Sequence, residues 1–476
     1  MRSTTMRTDA IRNEDFLEYH KHLPELEFES FLEAIQGKRR VSILVNTLKT
    51  SPQKLFQRLQ INTTPIPWCR NGFWIESMDS DWIGKTLSYA LGYYYVQNAL
   101  SMIPPVVLTP SPGERILDMC AAPGSKTTQL GQYMHGQGVI IANEANPNRA
   151  KTLIANVQRI GLTNAVITVM NGAEFGRFEQ SFDKVLVDAP CSAVGTELKA
   201  AHQWSMETVH RLSSLQKRLI VAGFKVLSEG GVLVYSTCTT PAEENEEVVE
   251  FLLSKFHGEA ILEEIQLPGL KCVPGLTEAT RKAIRVFPYH HNSGSFFVAR
   301  IRRRGKSHRQ YDSTKPQSEA KAIRGDFRLL TRTEVKMISR YMQDRFGYNL
   351  PSAFSLVAKG KKLQRVYTRV YAFSGSLHEL SSIPIKSIGL FIGSWEGDEF
   401  RPSIEGAEII GKAKRNVIYL NEVEAKKWMN GDKLLKSVAS GCYLINYDNM
   451  FLGGGFSNGR EITNFQPRIF NIDVLK

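Results

Sequence analysis

The sequence lacks several features that would assign it to a structural class at once. No stretch of its 476 residues approaches the roughly 18 consecutive apolar residues of a membrane-spanning helix. The N-terminus contains no apolar core of the kind found in signal peptides. The six cysteines are scattered singly without a CxxC pair, which argues against a zinc site and a disulfide framework. Because free thiols suit a reducing compartment, we expect a cytoplasmic protein without a bound metal.

Glycine is scarce where a phosphate-binding protein needs it. Residues 118–130 read DMCAAPGSKTTQL, but Lys126 does not directly follow a glycine and the earlier glycine of a Walker loop is missing. A dinucleotide fingerprint requires three spaced glycines, whereas this loop contains only Gly124. A phosphatase-type loop would have arginine at the position of Lys126. The sequence therefore does not predict a nucleoside triphosphatase, a nicotinamide dehydrogenase or a phosphatase.

Acidic residues are too few to balance the basic ones. The chain has 60 Lys and Arg against 47 Asp and Glu, a net charge of +13, and its pI is about 9.3. This excess favours a polyanionic partner, with nucleic acid as the first to consider, and a merely basic enzyme as the alternative. At roughly 150 residues per domain, the length indicates about three domains.

Strands and helices alternate between residues 91 and 302. Strands are predicted in the apolar segments RILDMC, GVIIANE, AVITVMN, DKVLVDAP, GGVLVYSTC and SFFVARIRR. Helical segments separate them, and the one that begins at Met206 is predicted to continue to Gly230 and Gly231. The alternation predicts an α/β domain with a doubly wound parallel sheet, which binds ligands at the carboxyl ends of its strands.

The flanking regions differ from this central domain. Residues 1–90 have the pattern of a small α+β domain, and residues 303–325 have the polar, basic composition of a linker. Residues 326–375 are predicted to form a small subdomain with one helix and a strand pair. Residues 376–476 contain short strands, many glycines and a predicted hairpin over YDNMFLGGGFSNGR.

The loop at 118–130 is predicted to bind a nucleoside. It follows a strand and precedes a helix that starts near Ser125, and Gly124 lets a ligand approach the backbone. Glu144 ends the next strand, where a carboxylate accepts hydrogen bonds from ribose hydroxyls. Since no pyrophosphate cradle is present, S-adenosylmethionine (SAM), with its ribose, adenine and sulfonium, fits this pattern.

Two further loops at predicted strand ends each contain a thiol. DAPCSAVGT places Asp188 and Cys191 directly after an apolar strand. In STCTTPAEENEE, Cys238 closes a strand, and Thr240 and Glu243 predict the N-cap and capping box of a helix. A helix N-terminus at this point would favour the thiolate form of Cys238.

Paired thiols and an acid beside a SAM site suit the methylation of cytosine at C5. C5 is a poor nucleophile, and addition of a thiolate at C6 makes it electron-rich enough to accept a methyl group. An acid near N3 stabilises the adduct, and a base must remove the C5 proton before the enzyme can leave. The chemistry alone does not decide whether Cys191 or Cys238 is the nucleophile.

The three loops together resemble the RNA (cytosine-5) methyltransferases of the Sun/Nop family. The resemblance covers roughly residues 35 to 302 through the ordered motifs SILVNTLK, GYYYVQNALSM, DMCAAPGSK, NEAN, FDKVLVDAPCSAVGT, STCT…EENE and RVFPYHHNSGSFFVA. It implies a Rossmann-like, SAM-dependent methyltransferase domain (EC 2.1.1 class) that forms 5-methylcytosine in RNA. The region from about 326 looks like that of family members that modify small-subunit rRNA, and its last hundred or so residues are similar to PUA-like RNA-binding modules.

The resemblance implies a role for each motif residue. It makes Cys238 the nucleophile, gives Cys191 a part in product release, and places Asp188 against both the cytosine and the SAM site. Glu144 would hold the ribose of SAM and Asn171 its adenine. The residues expected to line SAM in the first loop are Cys120, Ala121, Ala122, Pro123, Gly124, Ser125 and Lys126.

Three positions depart from the family pattern. Asn171 stands where the family has an acid, so it can bond adenine but lacks the charge. Leu44 stands where arginine is usual, which removes one RNA or active-site contact, and Ala193 stands where glycine is common.

We therefore expect a monomeric RNA cytosine-5 methyltransferase that acts on 16S rRNA, with no DNA or membrane partner. The N-terminal domain, the linker and the PUA-like region are expected to contact RNA. The same chemistry on tRNA is one alternative. An RNA-binding ribosome-assembly factor without catalytic activity is an alternative of another class.

Overall fold

The fold is described from a computed structural model of the chain. The described residues are 11, 13–76, 82–178, 182–196, 198–305, 326–359, 367–375 and 383–465. Most of the predicted basic linker, residues 306–325, and the end of the predicted PUA-like region, from residue 466, lie outside them. Within these ranges, no helix is both long enough and apolar enough to cross a membrane.

The N-terminal part is an α+β domain built on a four-stranded antiparallel sheet, in the order β2-β3-β1-β4. Its helices are α1 (Glu14–Lys21), α2 (Phe28–Gln36), α3 (Pro52–Leu59) and α4 (Leu87–Ala90). Its strands are β1 (Ser42–Val45), β2 (Thr63–Pro65), β3 (Gly72–Ile75) and β4 (Tyr94–Val96). The sheet extends beyond residue 90, where the sequence suggested a boundary, because Val45 pairs with Tyr94.

The central part contains the predicted alternation of strands and helices. Its helices are α5 (Ile103–Leu108), α6 (Ser125–Tyr133), α7 (Pro147–Ile160), α8 (Leu198–His202), α9 (Met206–Val226), α10 (Glu246–Lys255) and α11 (Pro288–His291). Its strands are β5 (Arg115–Asp118), β6 (Val139–Asn143), β7 (Ala165–Thr168), β8 (Phe182–Asp188), β9 (Leu227–Thr237), β10 (Ala260–Glu263), β11 (Val273–Pro274), β12 (Ile284–Val286) and β13 (Phe296–Arg303). All six strands predicted here are present.

These strands form one mixed sheet whose topology creates a ligand crevice. Strands β7-β6-β5-β8-β9 are parallel, and β13 adds antiparallel to β9. The chain order reverses between β5 and β8, which is where ligands bind in open α/β sheets. The predicted end of the helix that begins at Met206 is wrong: the helix ends at Val226, because Leu227 already pairs with Phe182 of β8.

The C-terminal part contains two five-stranded sheets, β14-β15-β16-β18-β19 and β20-β22-β23-β24-β21. Its helices are α12 (Arg332–Tyr341), α13 (Ile404–Ile410) and α14 (Glu422–Met429). Its strands are β14 (Phe327–Leu329), β15 (Ser355–Lys359), β16 (Thr368–Phe373), β17 (Ser387–Ile388), β18 (Leu390–Glu396), β19 (Glu399–Pro402), β20 (Val417–Tyr419), β21 (Leu434–Leu435), β22 (Gly441–Tyr447), β23 (Met450–Ser457) and β24 (Glu461–Asn464).

The C-terminal part is joined directly to the central sheet. Strand β17 pairs antiparallel with β7, with Ser387 opposite Ile167. The Gln158 side chain of α7 continues this junction, because its amide donates to the carbonyl oxygen of Gly389 (2.7 Å) and its oxygen accepts from the backbone N–H of Phe391 (2.7 Å). The suggested division at residue 375 falls between β16 and β18, which pair with each other in one sheet.

Candidate active site

The β5–α6 loop is a tight turn that brings backbone to the edge of the crevice. Gly124 has a φ of +112°, which glycine adopts without strain, and a Cβ there would lie 3.1 Å from a leucine side chain of α7. Two side chains of helix α7 hydrogen-bond to the loop. Arg149 donates to the carbonyl oxygen of Ala122 (2.8 Å), and Asn156 donates to that of Pro123 (2.9 Å). The helix that follows starts at Ser125, as predicted.

Two titratable side chains at the start of this loop are governed by burial. Burial raises the pKa of the Asp118 carboxyl to about 7, although the Thr127 hydroxyl donates a 2.6 Å hydrogen bond to it. Burial, and then the neighbouring carboxylates, raise the pKa of the Cys120 thiol. Cys120 is therefore a neutral thiol that can line a ligand site, and this environment does not make it a nucleophile.

Glu144 follows β6 directly and presents a carboxylate at the crevice. One carboxylate oxygen accepts a 2.9 Å hydrogen bond from the backbone N–H of Asn146, and the other lies 3.5 Å from an Arg149 guanidinium nitrogen. Each oxygen has a second lone pair, so the carboxylate can accept further hydrogen bonds from ligand hydroxyls.

Asn171 lies just beyond the end of β7, on the same edge of the sheet. Its Oδ1 accepts from the backbone N–H of Ala173 (3.1 Å) and caps a short 3-10 turn. Asn143, the buried last residue of β6, supports this segment and was not predicted from the sequence. It donates to the carbonyl oxygen of Met170 (3.0 Å) and accepts from the Thr168 hydroxyl (2.8 Å). A buried amide at a strand end was the signal that could have identified it.

The other two loops bring their thiols together. The sulfur atoms of Cys191 and Cys238 lie 3.4 Å apart, far beyond the roughly 2.05 Å of a disulfide bond, and both are free. A hydrogen bond from the Cys191 thiol lowers the pKa of Cys238, and the same bond, together with burial, raises the pKa of Cys191. Cys238 is therefore the more acidic member of the pair.

Asp188 ends β8 between the thiols and the β5–α6 loop. Lys126 Nζ lies 2.6 Å from one carboxylate oxygen, and the Ser236 hydroxyl donates a 2.7 Å hydrogen bond to the other. Both oxygens are thus oriented, and the ion pair connects the first loop to the loop that carries Cys191.

A buried carboxylate that was not predicted from the sequence links the two cysteine loops. Glu244 accepts from the backbone N–H of Ser192 (3.0 Å), from the Ser192 hydroxyl and from the Gln216 amide (2.8 Å). The Ser192 hydroxyl also lies 2.7 Å from the Thr239 hydroxyl. Since Ser192 and Thr239 directly follow the two cysteines, these bonds fix the separation of the thiols. The motif EENE contains Glu244, but the sequence does not indicate that its side chain contacts the loop that carries Cys191.

The predicted helix cap after Cys238 is wrong. A short 3-10 turn follows the loop, and α10 begins only at Glu246. The Thr240 hydroxyl is bonded instead to His20 of α1, and the Glu243 carboxylate to a tyrosine of the same helix. The pKa of Cys238 is lowered by the neighbouring thiol, with no α-helix starting beside it.

The structure shows the surroundings of Leu44 and the backbone conformation of Ala193, the two other positions that depart from the family pattern. Leu44 in β1 is 1% exposed and packs in a core shared by the N-terminal and central domains, so it offers no contact to RNA. Ala193 has a φ of +57°, a conformation that glycine would adopt without strain.

Comparison with known proteins agrees with this geometry. The family described as "16S rRNA methyltransferase RsmB/F" matches residues 105–302, and "N-terminal domain of 16S rRNA methyltransferase RsmF" matches residues 13–99. Ribosomal RNA small subunit methyltransferase F of Shewanella oneidensis is 32% identical over 459 residues, which is 93% of each chain. The chain belongs to the RsmB/F family.

Two further proteins match a smaller share of the chain, about three fifths of it. The tRNA (cytosine(49)-C(5))-methyltransferase of Pyrococcus abyssi is 46% identical over 308 residues, covering 61% of this chain and 98% of the relative. A solved methyltransferase homolog from Pyrococcus horikoshii is 33% identical with a TM-score of 0.56, covering 62% of this chain and 97% of that structure. This RsmB/F protein is thus a SAM-dependent RNA cytosine-5 methyltransferase, which confirms the resemblance to the Sun/Nop family and the Rossmann-like fold.

The crevice of this RsmB/F enzyme suits SAM. Ala121 and Ala122 carry only methyl side chains, and the Glu144 carboxylate has acceptor capacity for ribose hydroxyls. The acids also complement a sulfonium cation. Among the described residues, no group of three or more His, Cys, Asp or Glu side chains could hold a metal ion.

Proposed function

We propose that this enzyme methylates C5 of a cytosine in small-subunit (16S) rRNA through a covalent bond between Cys238 and C6. The observation that carries the proposal is the pair of free thiols, Cys191 and Cys238, whose sulfur atoms lie 3.4 Å apart, and the hydrogen bond between them lowers the pKa of Cys238. A thiolate that persists beside a proton-bearing thiol is a suitable nucleophile for an electron-poor ring carbon.

The proposed roles follow from the positions of the side chains. Cys238 adds to C6, and Asp188, oriented by Lys126 and Ser236, contacts the cytosine ring near N3 and stabilises the adduct. SAM supplies the methyl group to C5. Breakdown of the adduct requires a base to remove the C5 proton as the bond between C6 and the Cys238 sulfur breaks and Cys238 leaves as a thiolate. Cys191, in contact with this sulfur, assists that departure and the release of the product.

Cofactor binding is assigned to the edge formed by β5, β6 and β7. The backbone of the β5–α6 loop, from Cys120 to Lys126, lines SAM, and Asp188 borders the site. The Glu144 carboxylate holds the ribose hydroxyls. The Asn171 amide faces the adenine, where it can bond a ring nitrogen without contributing a charge.

The choice of rRNA is supported by the length of the matches. Relatives named small-subunit rRNA methyltransferase F align with 93% of this chain, including the C-terminal sheets, whereas the tRNA methyltransferase aligns with only 61%. We assign RNA contact to the N-terminal domain and to the C-terminal region, for which a PUA-like role stays a prediction. The tRNA alternative keeps the support of the higher identity, 46%.

Bisulfite sequencing of total RNA from cells with and without the enzyme tests both parts of this proposal. We expect one cytosine of 16S rRNA to lose its methyl mark without the enzyme and to regain it with the wild-type gene but not with Cys238→Ser. Loss of a methyl mark in tRNA instead would support the same reaction with tRNA as the substrate. A mark restored by Cys238→Ser would overturn the assignment of the nucleophile.

Trapping of the covalent complex tests the roles of the two thiols. With Cys191→Ser, attack remains possible but release is impaired, so a protein–RNA adduct should accumulate and resist denaturation in SDS. Cys238→Ser should give no adduct. Equal adduct with both variants would contradict the division of roles.

A further inference from the structure

The segment that follows Cys238 is held by the N-terminal helix α1. The Thr240 hydroxyl lies 2.7 Å from Nε2 of His20. The Tyr19 hydroxyl accepts a 3.1 Å hydrogen bond from the backbone N–H of Ala242 and donates a 2.6 Å bond to the Glu243 carboxylate. Helix α1 therefore contacts three of the four residues from 240 to 243, although it lies more than 200 positions earlier in the chain.

The His20 ring is fixed in one orientation and one tautomer. Its Nδ1 lies 2.8 Å from the carbonyl oxygen of Phe16, which can only accept, so Nδ1 carries the hydrogen. Nε2 must then accept from the Thr240 hydroxyl. The ring is fully buried and stacks on Phe31 at 5.2 Å with 8° between the planes.

The loop is held by contacts with distant residues in addition to its local ones. Thr240 and Glu243 have the sequence of a helix cap, yet both side chains point to α1 instead of to their own backbone. The Thr240 carbonyl oxygen is also taken, by a 2.7 Å hydrogen bond from the buried Arg285. A displacement of Thr240 would pass to Thr239 and, through its contact with Ser192, to the second cysteine loop.

We propose that His20 and Thr240 are positioning residues, through which helix α1 fixes the loop that carries Cys238 for attack on C6. The inference rests on the proposed role of Cys238 as the nucleophile. A shift of the attacking atom by about 1 Å can cost on the order of 100-fold in rate, even when both substrates still bind. The N-terminal domain thus contributes to the chemical step in addition to any contact with RNA.

Two substitutions of Thr240 separate the hydroxyl from the shape of the side chain. Thr240→Val keeps the branched shape without the hydroxyl, and Thr240→Ser keeps the hydroxyl. In single turnovers on transcribed 16S rRNA, with total tRNA in parallel, we expect Thr240→Val to slow methyl transfer roughly 10- to 100-fold. Thr240→Ser should stay within about threefold of wild type, and the Kd values for SAM and RNA should change less than about twofold with either variant.

The double variant His20→Phe/Thr240→Val distinguishes positioning from a structural role. It removes both polar partners and retains an aromatic ring, so stability should recover relative to Thr240→Val. We expect methyl transfer to stay slow even though the urea midpoint returns towards wild type. Recovery of the rate together with stability would overturn the proposal, as would a loss of rate explained entirely by weaker SAM or RNA binding.

Tyr19→Phe provides a check that does not create a buried unpaired group in α1. It removes the bonds to Ala242 and Glu243 while leaving His20 in place. Like Thr240→Val, it should lower the single-turnover rate. Cys238→Ser is measured alongside all variants. If Cys238→Ser retains activity, the assignment of the nucleophile fails. If Cys238→Ser is inactive but Thr240→Val and Tyr19→Phe have wild-type rates, the positioning role alone fails.

Discussion

Lys126 and Asp188 form a 2.6 Å ion pair that spans the β5–α6 loop and the end of β8. The pair joins the cofactor side of the crevice to the side that carries the thiols, and the Ser236 hydroxyl orients the second carboxylate oxygen. In the proposed mechanism, this ion pair therefore connects the cofactor site to the site of nucleophilic attack.

Asp188→Asn should remove the negative charge from this contact while preserving the shape of the side chain. We expect single-turnover methyl transfer to fall by about 100-fold or more, because a positioned acid or base typically contributes roughly 10²–10⁴-fold. The measurement is transfer of a labelled methyl group to RNA at saturating SAM. Glu278→Gln, in an exposed ion pair with Arg281, is the matched control and should retain wild-type activity. An Asp188→Asn rate within about threefold of the control would refute the role.

The thiol pair predicts a pH effect on the reactivity of Cys238. Since a hydrogen bond from Cys191 lowers the pKa of Cys238, Cys191→Ala should move the pKa of Cys238 upwards. The thiolate is the reactive form, so alkylation of Cys238 should require a higher pH in the variant. Iodoacetamide rates between about pH 6 and 10, followed by peptide mass spectrometry, measure the midpoint. The exposed Cys272 is replaced by serine in both proteins, and an unchanged or lower midpoint would contradict the assigned direction.

Glu144 predicts the effect of a substitution on cofactor affinity. Glu144→Ala should raise the Kd for SAM about 10- to 100-fold, since hydrogen bonds to a charged group contribute about 1.5–3 kcal/mol. Asn171→Asp should tighten SAM binding modestly, because aspartate keeps the helix cap and adds a charge. Isothermal titration calorimetry measures both, and an unchanged Kd in Glu144→Ala would place the ribose elsewhere.

The C-terminal region predicts a salt-dependent contribution to RNA binding. Lys412, Lys414 and Arg415 are exposed, and Tyr419 on the nearby strand β20 is 61% exposed. Replacing the three basic residues by alanine should weaken binding to 16S rRNA and make log affinity less steeply dependent on log salt. The slope should fall by up to about 0.7–0.9 for each phosphate that is no longer neutralised.

Tyr419→Ala should weaken the free energy of RNA binding by about 1–3 kcal/mol if a base stacks on the ring. Filter binding at several salt concentrations measures both effects, with Lys282→Ala as a surface control.

The buried pair Glu246–Arg285 predicts a stability effect without a direct catalytic role. Both side chains are at most 2% exposed, and Arg285 makes a two-point contact with the Glu246 carboxylate. Arg285→Met should lower the free energy of unfolding by about 3–5 kcal/mol because it leaves a buried charge unpaired. Glu246→Gln/Arg285→Met should be less destabilised than Arg285→Met. Urea denaturation tests the order, and the reverse order would contradict this account.

The sequence predicted those parts of the site whose local pattern and tertiary environment agree. Apolar strands followed by small or acidic residues placed Glu144, Asp188 and Cys191 at one sheet edge, because carboxyl ends of parallel strands meet there. The hairpin predicted over residues 447–460 is displaced: this segment contains the single strand β23 (Met450–Ser457), which pairs with the preceding β22 across a turn at Asp448 and Asn449, both of which have a positive φ.

The missed features depend on partners that are distant in the chain. The local pattern at Thr240 predicts a helix cap, but the Thr240 hydroxyl bonds the buried His20, which lies more than 200 residues earlier in the chain. Likewise, the helical pattern after Val226 is overridden because Leu227 pairs with β8. Nothing in the local sequence around β17 indicates that this two-residue strand joins the central sheet.

That short strand has a consequence for how RNA reaches the thiols. Because β17 hydrogen-bonds to β7, the C-terminal region is joined to the same sheet in which β8 ends at Asp188 and β9 ends just before Cys238. It cannot swing independently without breaking this pairing and the bonds of Gln158. We therefore expect that an RNA bound to both the C-terminal sheets and the catalytic crevice must present its cytosine at a fixed distance from the C-terminal sheets.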